Sequence, residues 1–124
     1  MKQMMALALI AASAMAHADS IALFAPGSYT SGARYQSLPF EGRQRLVEGA
    51  VGGLMAAPLV ASSQTTQAQA IHDCLDKMKI GARDATVITD KFLAGNHPML
   101  DQDVGPIVYY ALKDECAKGG TLLR

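Results

Sequence analysis

Tryptophan is absent from this 124-residue chain, aromatic residues make up only 6% of it, and there are just three histidines and two cysteines. Charge is also sparse, since charged residues are 18% of the chain and eleven basic side chains balance eleven acidic ones. Nucleic-acid binding needs a clustered basic face, and a membrane-surface helix needs lysines and arginines along one side. The composition therefore argues against both kinds of partner.

The N-terminus has the three-part pattern of a secretory signal peptide over residues 1–18. Lys2 precedes an apolar run, and small residues follow, ending in an Ala-His-Ala site cleaved after Ala18. The apolar run is far shorter than the roughly 20 residues that span a bilayer, so a permanent anchor is not expected. The alternative is a buried N-terminal helix. We expect a periplasmic chain of 106 residues beginning at Asp19, with ten basic against eleven acidic side chains, and hence one domain.

Export determines how the two cysteines are interpreted. In an oxidising compartment, Cys74 and Cys116 are expected to form one disulfide, whereas in cytosol they would more often be free thiols. On the chain-entropy model, closing this loop stabilises the fold by roughly 4 kcal/mol. A small domain often has only about 5–15 kcal/mol in total, so the bond should matter greatly.

After the signal peptide, the pattern predicts three further parts. Residues 19–36 contain proline and glycine among scattered apolar residues and are typical of an irregular N-terminal arm. Residues 37–117 have apolar residues at helical spacing and form the predicted helical domain, and residues 118–124 form a C-terminal tail.

The first predicted helix begins with Ser37 as N-cap and ends near Pro58. Three glycines in it (Gly49, Gly52 and Gly53) have two interpretations. They either form a smooth face against which another helix packs closely, or they break the helix near Gly52. We favour one continuous helix.

Three more helices follow at similar spacing. The second covers residues 66–78 and the third, with Asp84 as its cap, covers 84–96. The fourth begins near Asp101 or Asp103 and reaches Cys116. The residues expected to face inward are Ile71, Cys74 and Met78; Val87, Ile88, Phe92 and Leu93; and Val104, Ile107, Val108, Ala111, Leu112 and Cys116. No segment shows sustained alternation of period two, so the prediction is an all-α fold, a small bundle of about four helices with one disulfide.

Residues for chemistry are few. Nucleophilic catalysis needs a serine or cysteine with a histidine and an orienting partner. Only two histidines follow the signal peptide. We expect His72 to be a solvated helix residue and His97 to be a turn residue. Adjacent helical residues such as His72, Asp73 and Cys74 point in different directions and cannot chelate one metal ion. We expect no catalytic residue, metal or cofactor.

The ordered set of motifs resembles the Tai/Rap immunity-protein family, the resistance-associated proteins of bacterial type VI secretion systems. The resemblance lies in "RLVEGAVGGL" (45–54), in Cys74, in "DATVITDKFLAGNHP" (84–98) and in "IVYYALKDEC" (107–116). The family resemblance implies a helical periplasmic protein, often a homodimer. Such a protein binds a secreted toxic effector, commonly a peptidoglycan-degrading amidase, and blocks its active site.

Loops on a stapled scaffold are typical recognition surfaces, so the turns at residues 79–84 and 94–103 are the regions expected to contact a toxin. Either turn could instead merely connect helices. Two other roles stay open for a small exported helical protein, an acid-stress chaperone and an accessory part of an envelope complex.

Overall fold

A computed structural model describes residues 30–60 and 65–124, and these parts are helical with no strand. The predicted signal peptide, its cleavage site and residues 19–29 of the predicted arm lie outside the described residues. The helices are α1 (Gly32–Gln36), α2 (Phe40–Val60), α3 (Thr65–Met78), α4 (Ala82–Gly95), a 3-10 helix (His97–Asp101) and α5 (Val104–Lys118). The predicted all-α fold is confirmed, and none of the described helices is long and apolar enough to cross a membrane.

The end of the predicted arm is ordered rather than irregular. Ser31 caps the short helix α1 by accepting a hydrogen bond from the Arg34 amide, and it pairs with Asp103 in an isolated bridge. Gly32 lies so close to its neighbours that a Cβ there would be 2.8 Å from Cδ1 of Ile107. A glycine therefore allows α1 to sit directly against α5.

Helix α2 is continuous, as predicted, but its ends differ from the prediction. Ser37 is not its N-cap, because its hydroxyl donates to the Arg34 carbonyl at 2.6 Å and so ends α1. The first helical bond of α2 instead runs from the Arg43 amide to the Pro39 carbonyl at 3.0 Å. At the other end the helix continues to Val60, so Pro58 lies within the last turn.

The glycines of α2 do not pack against another helix. A Cβ at Gly49, Gly52 or Gly53 would meet nothing within 4 Å, and all three residues are exposed or face open space. The predicted smooth packing face is therefore wrong. The helix stays unbroken because the opposite side of α2 is anchored in the core by Val47.

The inward stripes of α3 and α5 are confirmed. In α3 the side chains of Ile71 and Cys74 are fully buried, and Met78 is half-buried. In α5 all six predicted residues are buried: Val104, Ile107, Val108, Ala111, Leu112 and Cys116.

The inward face of α4 differs from the prediction. The helix begins at Ala82, so Asp84 lies in the first turn and accepts the Gly81 amide at 3.1 Å instead of serving as N-cap. Ala85, Thr86, Thr89 and Leu93 are buried, whereas Val87 is 37% exposed. The two threonines tolerate burial because their hydroxyls bind the carbonyls one turn earlier, at 2.8 Å each.

The core has two parts. The larger cluster joins α1, α2, α4 and α5 around Tyr35, Val47, Leu93 and Leu112. The smaller one surrounds the disulfide, where Cys74 of α3 and Cys116 of α5 are bonded with their Cα atoms 5.8 Å apart. The predicted pairing is confirmed, and it connects α3, which otherwise packs mainly against α2, to α5.

The C-terminal tail closes over the disulfide cluster. Leu123 is buried against Ile71 and the two cysteines. The side chain of Gln67 donates to the Arg124 carbonyl at 2.7 Å, and the Tyr109 hydroxyl donates to the same carbonyl. Tyr109 is thus the packed member of the tyrosine pair and Tyr110 is the exposed one, as expected of adjacent helical residues.

Candidate interaction surface

The two turns predicted to contact a partner lie at opposite ends of α4. Residues 79–84 lead into the helix and residues 94–103 follow it. A helix of 14 residues is about 21 Å long. The structure therefore does not bring the two turns together as one loop surface.

The turn at 94–103 is partly occupied by the chain itself. It forms the 3-10 helix, and α1 packs against this element. The Gly32 amide donates to the Gln102 carbonyl at 2.8 Å, and the Val104 amide donates to the Thr30 carbonyl at 2.9 Å. His97 is exposed at the start of the 3-10 helix. This turn thus has a structural role in holding α1, which weakens the case for it as a binding loop.

The turn at 79–84 makes a tight corner between α3 and α4. The Ile80 amide binds the Leu75 carbonyl at 2.9 Å, and the Lys79 amide binds the Asp76 carbonyl at 3.2 Å. This is the bonding pattern of a Schellman cap, in which the residue at the left-handed position is usually glycine. Here that residue is Lys79, with φ of 55°. A lysine is therefore held at the apex of the corner in a backbone conformation that costs roughly 1 kcal/mol.

An apolar cavity of about 180 Å³ opens beside this corner, between α2, α3 and the start of α4. A cavity of about 150 Å³ is large enough to hold benzene, so the space fits a small apolar group. Its lining is mostly aliphatic: Val47, Glu48, Val51, Leu75, Ile80, Gly81, Ala82 and Ala85.

The contribution of α2 to this site was not predicted. Val47 is fully buried in the core and also lines the cavity, together with Val51 one turn later in α2. Glu48 is the single charged residue of the lining. A signal for it exists in the sequence, because a polar residue next to a helical apolar stripe lies at the border of the buried face.

Some of the acidic groups around the corner are paired with a basic group and others are not. Asp76 is bonded to Lys79 at 3.1 Å, and Asp84 is held by the Gly81 amide. Glu48 accepts a hydrogen bond through Oε1 from the Gln44 side chain at 3.0 Å. Among residues 30–60 and 65–124, no salt bridge includes Glu48.

A polar network joins α2 to α4, two of the helices that line the cavity. The guanidinium of Arg43 makes a two-pronged contact with the Asp90 carboxylate, at 3.1 Å for each prong, and also donates to the Leu38 carbonyl at 2.6 Å. The buried Tyr35 hydroxyl donates to Asp90 at 2.9 Å. Burial, the hydrogen bond to Asp90 and the negative charge of Asp90 together raise the pKa of Tyr35 well above its usual value. The network thereby ties α1 and α2 to α4.

Phe40 carries two guanidinium groups over its ring. Arg43 lies 5.5 Å from the ring centroid and Arg83 lies 5.2 Å from it. Arg83 directly follows Ala82 of the cavity lining, and its positive charge lies over the Phe40 ring.

Two other grooves contain no residue of the 79–84 turn. One, between α4 and α5, has a volume of about 320 Å³ and is lined largely by charged side chains, with Glu115 and Lys118 already bonded to each other at 2.6 Å. The other, about 330 Å³, lies beside Thr30 at the edge of the described residues. A further groove of about 420 Å³ lies beside the same 79–84 turn and is lined by His72, Leu75, Asp76, Lys79, Ile80 and Gly81. The corner cavity is the more apolar of the two, because its lining contains a single charged residue.

In the part of the chain that the structure describes, the side chains that could bind a metal ion are not clustered. That part contains no group of three or more His, Cys, Asp or Glu residues that could hold a metal ion. His72 and His97 are both exposed and lie on different elements, and His72 has only its neighbour Asp73 within 3.4 Å. Neither histidine lines the corner cavity.

Comparison of the chain with protein-family models, curated proteins and solved structures gives no match. The resemblance to the Tai/Rap family thus stays a prediction from the sequence motifs.

Proposed function

We propose that this chain is an exported immunity-type protein that binds a secreted toxic enzyme and neutralises it. The observation that supports this most is the apolar cavity at the α3–α4 corner, because it lies at one of the two turns that the sequence marks as contact regions. The family resemblance supplies the kind of target, a peptidoglycan-degrading enzyme. In this proposal the signal peptide over residues 1–18 takes the chain to the periplasm, where such an enzyme acts.

Inhibition would come from surface complementarity alone. A typical protein interface buries about 800 Å² on each partner, which is enough to cover the corner together with the neighbouring faces of α2 and α4. The disulfide and the Arg43–Asp90 pair hold these elements in place before binding. A preorganised surface loses little conformational entropy on association, so more of the contact energy appears as affinity.

The test uses the full chain, exported and oxidised in its own bacterium, as bait for envelope and culture extracts at neutral pH. We expect a cell-wall hydrolase to be retained at close to one-to-one ratio, and the purified chain to inhibit that enzyme in a peptidoglycan-clearing assay. Retention of many unfolded clients in acid alone would contradict the proposal and support a chaperone. A retained hydrolase that stays fully active would also contradict it.

A matched pair of variants connects the activity to the corner. Ala82→Leu places a larger side chain in the cavity wall, and Ala117→Leu makes the same change at an exposed position in the last turn of α5, outside both predicted contact turns. We expect Ala82→Leu to weaken inhibition at least tenfold and Ala117→Leu to leave it unchanged. Equal inhibition by both variants would place the binding surface elsewhere.

A further inference from the structure

The corner cavity combines two properties that together define the chemistry of an occupant. Seven of its eight lining residues offer only aliphatic surface or backbone, and the eighth, Glu48, brings a carboxylate to the edge of this space. Glu48 is exposed, so a purely apolar occupant would leave its charge to water and to the Gln44 amide and would make no use of it. An anionic occupant would be repelled by it.

The carboxylate of Glu48 has no counter-charge among the described residues. Its Oε1 atom is bound to the neutral amide of Gln44, which leaves its charge uncompensated. The two basic residues of the 79–84 turn are engaged elsewhere. Lys79 pairs with Asp76 at 3.1 Å, and the Arg83 guanidinium lies over the Phe40 ring.

We propose that the cavity receives a lysine side chain of the partner protein. The four methylenes of the lysine stem would fill the apolar space, and the ammonium group would bind Glu48 at its edge. Lysine suits such a site because its stem is apolar and flexible while its charge is compact. This inference rests on the proposed function, since it names the chemistry with which the toxin contacts this protein.

The chemistry of the cavity can be measured without the toxin. The full chain, exported, oxidised and labelled with ¹⁵N, is titrated with n-hexylammonium, 1-hexanol and n-hexanoate, which share an alkyl chain and differ in charge. We expect hexylammonium to shift the amide signals of residues 47–51 and 75–85. We expect hexanol to bind more weakly at the same residues and hexanoate more weakly still.

Two glutamates of α2 provide a matched pair. Glu48→Gln removes the charge at the cavity, and Glu41→Gln makes the same change at an exposed position in the first turn, outside the lining. An exposed ion pair contributes little, so we expect Glu48→Gln to weaken hexylammonium binding about two- to fivefold. Glu41→Gln should leave it unchanged, and neither should alter hexanol binding.

A third variant tests the apolar part of the site. Ala82→Leu should abolish the shifts caused by hexylammonium and hexanol alike, while Ala117→Leu should preserve them. Circular dichroism melts of all four variants would show that they fold.

Three results would overturn the inference: equal binding of hexanoate and hexylammonium, full hexylammonium affinity in Glu48→Gln, or shifts centred outside the corner. None of these depends on a toxin being found. If the cavity prefers the ammonium but no hydrolase is retained or inhibited, the proposed function fails while the cavity's preference for a basic group stands.

Discussion

Reduction of the Cys74–Cys116 disulfide should destabilise the protein more than any of the single substitutions predicted below. The two cysteines are 42 residues apart in sequence. A loop of that length, entered in the chain-entropy relation, corresponds to about 4 kcal/mol of stabilisation at 25 °C. For a domain whose total stability is about 5–15 kcal/mol, this is a large share.

The structure indicates where the loss would be felt. The disulfide joins α3 to α5, and the small cluster around it includes the buried side chains of Ile71 and Leu123. With the bond open, α3 keeps its packing against α2, but its attachment to α5 depends on these few apolar contacts and on the hydrogen bond from the Gln67 side chain to the Tyr109 hydroxyl at 2.7 Å. The C-terminal tail should therefore loosen together with α3.

The assay is urea unfolding at pH 7, followed by circular dichroism at 222 nm, on oxidised and fully reduced protein. With a slope of about 1.5 kcal/mol per molar urea, a loss of 4 kcal/mol lowers the midpoint by roughly 2.5 M. The reduced wild type retains both sulfur atoms, so it isolates the effect of the bond. The double variant Cys74→Ala/Cys116→Ala adds the effect of removing the buried sulfurs. If oxidised and reduced protein differed by less than about 1 kcal/mol, the assigned role of the disulfide would be refuted.

Other predictions concern the backbone and the buried network. Gly32→Ala should lower the free energy of unfolding by about 1–3 kcal/mol because the new Cβ has no space. Gly52→Ala, in an exposed helix interior, should raise it by about 0.5–1 kcal/mol, and urea unfolding curves of the two variants test both values. Lys79→Gly should stabilise the protein by up to about 1 kcal/mol by relieving the left-handed lysine, with Lys79→Ala as a control that should not. Tyr35→Phe should cost about 1 kcal/mol at pH 7 through loss of the hydrogen bond to Asp90. The pKa of Tyr35 is raised in the folded state, so its contribution to the free energy of unfolding is complete below about pH 10 and declines as the pH rises further. Stability should therefore fall less steeply in alkali in Tyr35→Phe than in the wild type.

Opposite outcomes would identify the faulty step. A stabilising Gly32→Ala would mean that α1 is not held against α5 as described. A neutral Lys79→Gly would mean that the corner relaxes without cost. Identical alkaline profiles of Tyr35→Phe and wild type would show that the Tyr35 hydroxyl is not buried beside Asp90.

The apolar periodicity was sufficient to predict the inward faces of α3 and α5, since each has aliphatic residues on one side and polar residues on the other. It was right only in part for α4, where Leu93 is buried and Phe92 packs against the core as predicted, but Thr86 and Thr89 are buried and Val87 is exposed. Threonine can satisfy its hydroxyl within its own helix, so its polarity does not reveal which way it faces. Ser37 shows the same limit at a helix end, because a serine between two helices can cap either one.

The interaction surface was predictable only in part. The turn at residues 79–84 was identified from its position between two helices, but the cavity beside it also requires Val47, Glu48 and Val51 of α2, which are remote in sequence. The turn at 94–103 looked equivalent, yet it packs against α1. No local pattern distinguishes a free turn from one that another segment covers.

Local periodicity was enough to predict the helical class and favoured a continuous α2, and the presence of only two cysteines was enough to predict their pairing. The fold determines which face of α4 is buried, how α1 is held by the Arg43–Asp90–Tyr35 network, and that Glu48 lies at the edge of an apolar cavity. These features arise where residues distant in the chain meet, and the packing of helices against one another sets them.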